Sequence, residues 1–278
     1  MTFLARMAES SRARVRAARA IESEGALERR ARARPAAPPL VLDGFDVIAE
    51  LKLRSPAAGG LASRGFDSRA QLESYARGGA AAVSVLTEPT EFRGELAHLA
   101  DAADALAPAG RPAMRKDFLT EPYQVLEARA AGAGGVLVIL AMLDDAAVRA
   151  LVDCAQGLGM FVLLEAFDRT DLERLAPYDG PQPAGAPLLA GVNCRDLRDL
   201  QVRFERFAEL APYLPHHLPT VAESGIGSGA DVEAVAAAGY RLALIGSSLM
   251  RSSEPEAELR AWLAVGRAAV VRRHARCS

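Results

Sequence analysis

The chain has 278 residues, of which 50% are hydrophobic and 24% charged, a composition typical of a globular protein that buries a sizeable core. Its 33 basic and 35 acidic residues leave a formal net charge of −2, so no overall field attracts nucleic acid or an anionic membrane. Three cysteines without a CxxC pair argue against a disulfide framework, and four scattered histidines show no metal-ligand spacing. The N-terminus lacks the apolar core of a signal peptide, and no apolar run approaches the ~20 residues of a membrane span. We therefore expect a cytoplasmic protein without metal or cofactor.

Residues 1–46 form the first segment, predicted as one or two helices rich in Arg, Ala and Glu that end in the Pro-rich connection "RPAAPP". This segment could cover the bottom of the domain that follows. It could equally act as a lid or a substrate-recruiting segment near the mouth of that domain, because added segments are often functional. Both placements stay open.

From Val47 onward one unit recurs: a short apolar run, a polar or Gly-rich loop, and an amphipathic helical stretch. Alternating strands and helices predict parallel strands joined by right-handed crossovers. Eight units match the size of a (β/α)₈ TIM barrel, which we assign to residues 47–278. A doubly wound sheet is the competitor, but "ELKLRSPAAGG" after the first strand has no GxGxxG. The eight runs are 47–52, 81–86, 112–117, 134–140, 160–166, 187–193, 219–225 and 242–248.

Polar residues gather at the ends of these runs, where the active sites of such barrels are built. Each residue taken alone could be a solvated strand end or a structural ion pair. Taken together they favour a polar pocket. They are Glu50 and Lys52, Lys116 and Asp117, Glu165, Asn193 and Arg195, and Glu223 and Ser224.

Only two of the 33 basic residues are lysines, Lys52 and Lys116, and both lie at strand ends. Arginine keeps a surface charge equally well but cannot readily lose a proton, whereas the pKa of a buried lysine shifts easily. Two lysines left by chance are the alternative. The pattern favours proton donation by these lysines.

The loops after the last two strands contain closely spaced glycines and serines. "ESGIGSG" places Ser224, Gly225 and Gly227 before a helix, and "IGSSLM" places Gly246 and Ser247 before another. Glycines let backbone N–H groups approach an anion, and barrels often hold a phosphate after strands seven and eight. These loops therefore predict a phosphate site.

Seven motifs in order over residues 47–251 resemble the indole-3-glycerol phosphate synthase family. They are "IAELKLRSP", "LTEPTEFRG", "MRKDFLTEPYQVLEARAAGAGGVLVIL", "LLEAFD", "GVNCRDL", "VAESGI" and "IGSSLMR". The resemblance implies a carbon–carbon lyase that cyclises 1-(2-carboxyphenylamino)-1-deoxyribulose 5-phosphate to indole-3-glycerol phosphate, with loss of carbon dioxide and water. It also implies a role in tryptophan biosynthesis or in a specialised-metabolism copy of that step, and other enzymes of the tryptophan pathway are conceivable partners.

The resemblance also implies roles for single residues. Lys116 matches the general acid of ring closure, and Glu165 matches the base. Lys52 would lie near the carboxylate of the substrate and could deliver a second proton; which lysine acts at which step stays open. The orienting residues would be Glu50, Asn193 and Glu223.

Substrate-binding residues follow from the same resemblance. Phe92 and Phe118 would pack on the anthranilate ring, although a role in the core is nearly as good an explanation. The phosphate would rest on Ser55 and on the backbone around Ser224, Gly225, Gly246 and Ser247, with Arg195 lining the site.

The sequence departs from the family pattern at several positions. Ala57 and Ala58 stand where a serine and a lysine are usual, which puts phosphate affinity in question. Phe167 replaces a common histidine, and Cys194 occupies a variable position. Two alternatives therefore remain: a paralogue acting on a related aryl-aminodeoxyribulose phosphate, and a catalytically silent phosphate-binding barrel.

Overall fold

The computed structural model describes residues 2–55, 59–60, 66–196 and 201–277. Eight parallel strands close into a barrel in chain order, and the first strand pairs with the last. The predicted (β/α)₈ fold is therefore confirmed. The strands are β1 Asp46–Leu51, β2 Ala82–Leu86, β3 Ala113–Lys116, β4 Gly135–Ile139, β5 Phe161–Ala166, β6 Leu188–Asn193, β7 Thr220–Glu223 and β8 Leu242–Ile245.

The sequence-based runs overshoot the strands, most of all at β7 and β8. β7 ends at Glu223, because Ser224 and Gly225 have positive φ angles of 71° and 75° that a strand cannot continue. β8 ends at Ile245, and a helix begins at Ser247. The serine- and glycine-rich segments are therefore loops beyond the strand ends.

Helices connect the strands and surround them. Pro122 occupies the first turn of its helix, Gly132 follows the same helix with a φ of 92°, and Gly239 caps a later helix with a φ of 112°. None of these helices, over the described residues, is long and apolar enough to cross a membrane. The helices are α1 Phe3–Ile21, α2 Glu24–Ala33, α3 Ser68–Gly78, α4 Pro89–Phe92, α5 Leu96–Leu106, α6 Pro122–Ala130, α7 Asp145–Gly157, α8 Arg169–Glu173, α9 Arg206–Leu210, α10 Gly229–Ala238, α11 Ser247–Arg251 and α12 Pro255–Cys277.

Strand side chains alternate between the barrel interior and the surrounding helices. Val47 and Ala49 of β1 belong to the outer core that packs under the helices, whereas Ile48 belongs to the inner core. The inner core contains fully buried residues of β1, β3, β5 and β7, and four of them form what we call the lower apolar layer: Ile48, Met114, Leu163 and Val221. Inward-facing side chains further along these strands, beyond this layer, lie at the mouth of the barrel.

The N-terminal segment reaches both ends of the barrel. Its Pro-rich connection crosses the bottom, where the Leu40 N–H donates to the carbonyl of Gly185 just before β6 and Ala37 packs against Gly134 just before β4. Helix α1 extends to the mouth, where Phe3 lines the cavity. The Pro-rich connection therefore has the first placement considered from the sequence, at the bottom of the barrel, and α1 has the second, near its mouth.

Candidate active site

Four charged side chains form the uppermost layer inside the barrel, and we call them the charged layer. They come from β1, β3, β5 and β7, each two residues beyond a member of the lower apolar layer: Glu50, Lys116, Glu165 and Glu223. Because residues two apart on a strand face the same way, these side chains point into the barrel mouth. One ammonium thus lies among three carboxylates.

Lys116 contacts two of these carboxylates. Its Nζ lies 3.2 Å from Oε2 of Glu165 and 3.2 Å from Oε2 of Glu223. Burial disfavours the charged amine, but the neighbouring carboxylates outweigh burial and raise the pKa of Lys116 above its ordinary value. Lys116 therefore holds its proton firmly in the free protein.

Glu223 is the most enclosed member of the charged layer, with 1% of its surface exposed. Burial raises its pKa well above the usual range, Lys116 opposes the shift, and the nearby carboxylate of Glu165 adds to it. Its Oε1 is buried without a hydrogen-bond partner and lies above Gly191, where a Cβ would come within 2.2 Å of it. Glu223 therefore binds a proton more readily than an exposed glutamate does, and Gly191 supplies the space that the side chain occupies.

Glu50 and Lys52 form a close pair, with 2.5 Å between Lys52 Nζ and Glu50 Oε1. Burial alone would raise the pKa of Glu50, but Lys52, Lys116 and Arg195 together lower it. The pair borders β8, because a Cβ on Gly246 would lie 2.4 Å from Glu50 Oε1 and 2.9 Å from Lys52 Nζ. The charged layer thus contains one carboxyl whose pKa is lowered, that of Glu50, and one whose pKa is raised, that of Glu223, a difference suited to acid–base chemistry.

The end of β6 contributes three consecutive residues. Asn193 is 8% exposed, and its Oδ1 accepts the backbone N–H of Arg195 at 3.0 Å. Burial raises the pKa of the Cys194 thiol to about 12, and this thiol donates to the carbonyl of Ser224 at 3.3 Å. The Cys194 thiol therefore links the end of β6 to the loop after β7, and it is not a nucleophile at neutral pH.

A cavity of about 350 Å³ opens above the charged layer. All site residues that were predicted from the sequence and whose side chains the structure describes line this cavity. They are Glu50, Lys52, Phe92, Lys116, Phe118, Glu165, Asn193, Arg195, Glu223, Ser224, Gly225, Gly246 and Ser247. The side chain of Ser55, as well as Ala57 and Ala58, lie outside the described residues. Strand ends and loops that are far apart in sequence therefore meet at one cavity.

One side of the cavity is aromatic. The Phe3 and Phe118 rings meet edge to face with centroids 5.8 Å apart, and the Phe92 and Phe118 centroids are 6.3 Å apart. Sequence reasoning missed Phe3, because no local pattern links the first helix to the end of β3. This wall can pack against a flat aromatic ring.

The other side of the cavity consists of the loops after β7 and β8 and two arginines. Ser224 and Gly225 turn the chain after β7, and α11 begins after Gly246 without a side-chain cap on its first N–H groups. Arg195 and Arg251 also line the cavity. Arg251, which sequence reasoning missed, is the last residue of the motif "IGSSLMR" and could have been found there. Within the described residues, no cluster of His, Cys, Asp and Glu is arranged to hold a metal ion.

Comparison with known proteins identifies the family. A family model described as indole-3-glycerol phosphate synthase matches residues 4–262. This chain belongs to the indole-3-glycerol phosphate synthase family. A relative of that name from Nocardioides sp. is 44% identical over 218 residues, covering 78% of this chain and 79% of the relative. Another from Mycolicibacterium smegmatis is 40% identical over 261 residues, covering 91% of both chains.

These matches confirm the expected indole-3-glycerol phosphate synthase family and, with it, a decarboxylating lyase. Solved structures resemble the chain in fold alone. The 3-hexulose-6-phosphate synthase from Salmonella typhimurium aligns with a TM-score of 0.60 at 14% identity, over 83% of this chain and 100% of that chain. The thiamine phosphate pyrophosphorylase from Pyrococcus furiosus aligns with a TM-score of 0.56 at 13% identity, over 81% and 97%.

Proposed function

We propose that the chain converts 1-(2-carboxyphenylamino)-1-deoxyribulose 5-phosphate to indole-3-glycerol phosphate, carbon dioxide and water. One observation carries this proposal beyond family membership: Lys116 Nζ lies 3.2 Å from each of two buried carboxylates, between an aromatic wall and an anion-binding side. The substrate has the matching parts, an aromatic ring at one end, a phosphate at the other and a reacting ketone between them.

Lys116 acts as the general acid of ring closure. The ring carbon that bears the carboxylate forms a bond to the ketone carbon, and the ketone oxygen takes a proton from Lys116 Nζ. The raised pKa of Lys116 does not prevent this step, because the oxygen becomes an alkoxide as the bond forms and is then a stronger base than the amine. Positioned acids of this kind contribute ~10²–10⁴-fold to the rate.

Carbon dioxide leaves next, and its bonding electrons restore the aromatic ring. The new hydroxyl then departs as water, while a base removes a proton from the carbon between the nitrogen and the hydroxyl-bearing carbon. Glu165 is the base in this scheme, and Lys52 is the second proton donor. Lys52 suits that role because it lines the cavity on the side opposite Glu165, paired with Glu50.

Substrate binding divides between the two sides of the cavity. Phe92 and Phe118 receive the anthranilate ring, and the phosphate rests on the backbone near Gly225 and Ser247 with Arg195 alongside. Asn193 and Glu223 orient the ribulose hydroxyls and the acid. Cytoplasmic location and association with other enzymes of the tryptophan pathway stay predictions.

The test is incubation of the protein with the ribulose phosphate while indole absorbance and carbon dioxide are followed. We expect both to appear in equal amounts, and a chain that forms neither would refute the proposal. Glu165→Gln, a nearly isosteric change, should keep substrate affinity and lose turnover by ~10²–10⁴-fold. Unchanged turnover in this variant would move the role of base to another carboxylate, with Glu50 the next candidate.

A further inference from the structure

The short helix α4 connects β2 to the aromatic wall of the cavity, which consists of Phe3, Phe92 and Phe118. The helix has only four residues, Pro89–Phe92. Isolated helices of fewer than ~12–15 residues are marginal in water, because too few hydrogen bonds offset the entropy of ordering the first turn. The shape of α4 therefore depends on contacts from outside the helix.

One carboxylate, that of Glu88, caps this helix. Its Oε1 accepts the N–H of Thr90 at 2.9 Å, and its Oε2 accepts the N–H groups of Glu91 at 2.6 Å and Phe92 at 3.2 Å. Pro89 has no N–H, so Glu88 accepts every backbone N–H of α4. Glu88 is itself 1% exposed and lies two residues beyond the end of β2. A buried side chain at the barrel thus fixes the whole helix.

The chain after α4 holds Phe92 from its other side. Arg93 turns the backbone with a φ of 56°, a conformation that few residues other than glycine adopt. Gly94 then donates its N–H to the carbonyl of Glu88 at 2.8 Å. It also lies against Leu86, where a Cβ would come within 2.2 Å of the carbonyl oxygen. Both ends of this loop therefore meet at Glu88.

Phe92 is the residue through which α4 reaches the cavity. Its ring lies 6.3 Å from that of Phe118, centroid to centroid, and it lines the cavity. Glu88 is not one of the described residues that line this cavity. Any effect of Glu88 on a bound molecule therefore passes through Phe92.

We propose that Glu88 is a positioning residue, whose carboxylate fixes the backbone of α4 so that the Phe92 ring completes the aromatic wall. This inference rests on the proposed function, in which Phe92 and Phe118 receive the anthranilate ring of the substrate. Packing against that ring is present in the bound substrate and in the transition state alike, so its loss weakens both. Loss of the cap should therefore raise KM and change kcat much less.

Glu95 provides a matched control for Glu88, because it occupies the same cap position before the next helix, α5. Its side chain is exposed and makes no cap hydrogen bond. A change from Glu to Gln keeps the size of the side chain but replaces one accepting oxygen by an NH₂ group, which cannot accept an N–H. The same substitution thus removes cap bonds at Glu88 and none at Glu95.

The first test is steady-state kinetics of Glu88→Gln and Glu95→Gln. We expect Glu88→Gln to raise KM by about 10-fold and to keep kcat within about 3-fold of the parent, whereas Glu95→Gln should change neither. A parental KM in a folded Glu88→Gln protein, or a loss confined to kcat, would overturn the inference. If Glu88→Gln melts early, Glu88→Asp replaces it with the same expected and contrary outcomes. Aspartate caps helices well, but it is one methylene too short to hold all three N–H groups.

A double-mutant cycle with Phe92→Ala separates positioning of this ring from a general effect on the fold. If Glu88 acts through Phe92, adding Glu88→Gln to Phe92→Ala should raise KM no further, because the ring is already absent. Multiplication of the two single effects on KM would mean that the two residues act independently, and the proposed role would be wrong.

Hydrogen–deuterium exchange gives a readout that does not depend on the proposed reaction. Glu88→Gln should speed exchange of the Thr90, Glu91 and Phe92 amides, followed by NMR, whereas Glu95→Gln should not. Unchanged exchange at these amides in Glu88→Gln would refute the role of Glu88 even in an active enzyme. If the unaltered chain formed no indole product, the proposed function would fail, and the exchange result would still decide whether Glu88 holds this helix.

Discussion

At the scale of single residues, the two lysines of the site have different surroundings. Lys116 lies between Glu165 and Glu223, whereas Lys52 contacts only Glu50 among the described carboxylates. Their exchange for arginine keeps the charge and removes a readily donated proton.

Lys116→Arg should therefore fold normally and lose turnover by ~10²–10⁴-fold, with a smaller change in substrate binding. Lys52→Arg should keep the attraction for the carboxylate of the substrate and slow a later proton transfer instead. Steady-state kinetics with thermal melts of both variants test this prediction. Near-parental rates for both, in folded proteins, would mean that neither lysine supplies a proton.

Gly191 offers a second test at this scale, because the space above its Cα is occupied by Glu223. A methyl group there would lie 2.2 Å from Glu223 Oε1 and 3.0 Å from Leu163 Cδ1, so Gly191→Ala must displace the carboxylate from Lys116. We expect reduced turnover and a stability loss of about 1–3 kcal/mol, the usual effect of overpacking. Gly157→Ala is the control, since nothing lies within 4 Å of its added methyl. Parental turnover in Gly191→Ala would show that Glu223 can move without consequence.

At the scale of elements, α1 and β3 are joined through a carboxylate whose ionisation is coupled to folding. Burial would raise the pKa of Asp117, but hydrogen bonds and charges from Arg14 and Arg115, with Thr87, lower it below its ordinary value. The folded protein therefore binds this proton less readily than the unfolded chain does. The stability that Asp117 contributes is present above its ordinary pKa of about 3.9 and is lost as the pH falls below that value.

Asp117→Asn should remove this contribution. At pH 7 we expect a loss of about 3–5 kcal/mol in the free energy of unfolding, because Arg14 and Arg115 both lose a buried charged partner and Arg115 keeps only Glu127. Below about pH 4 the melting temperatures of the variant and the parent should converge. Asp153→Asn, at an exposed position on α7, is the control. A difference between Asp117→Asn and the parent that stays constant with pH would contradict the assigned shift.

The strands and helices also show which structural features could not be predicted from local sequence. Strand identity and order followed from the apolar runs and the amphipathic helical stretches between them. The ends of β7 and β8 did not, since the positive φ of Ser224 and the helix start at Ser247 depend on how these loops pack. The path of the first 46 residues was also undecided, because amphipathic helices show which face is buried but not the surface that buries it.

At the scale of the whole molecule, we propose a phosphate site at the loops after β7 and β8, and a ligand that binds only the folded state should raise the melting temperature of the protein. A substrate analogue with the ketone reduced to an alcohol cannot cyclise and serves as the probe. At 100 times its dissociation constant it should stabilise the protein by about 2.7 kcal/mol. The same analogue without its phosphate should stabilise much less at equal concentration. Equal stabilisation by both would place the phosphate away from the loops after β7 and β8.

The sequence by itself determined the barrel, its family and most of the residues at its mouth. Each of these depends on local information: the order of strands and helices, the polar residues at or near several strand ends, and the scarcity of lysine. A parallel barrel translates such information directly into a site, because the carboxyl ends of all strands meet at one face.

Only the tertiary structure decided which of these residues touch. Lys116 meets Glu165 and Glu223 because β3, β5 and β7 contribute to the same layer of a closed barrel, and closure is a property of all eight strands together. Arg14 binds Asp117 across 103 positions of sequence, and Phe3 reaches Phe118 in the same way. The hydrophobic periodicity of α1 does not indicate that it contacts the end of β3, and that of β3 does not indicate a contact with α1. These contacts exist because the folded barrel offers α1 a buried carboxylate and an apolar rim at the right distance.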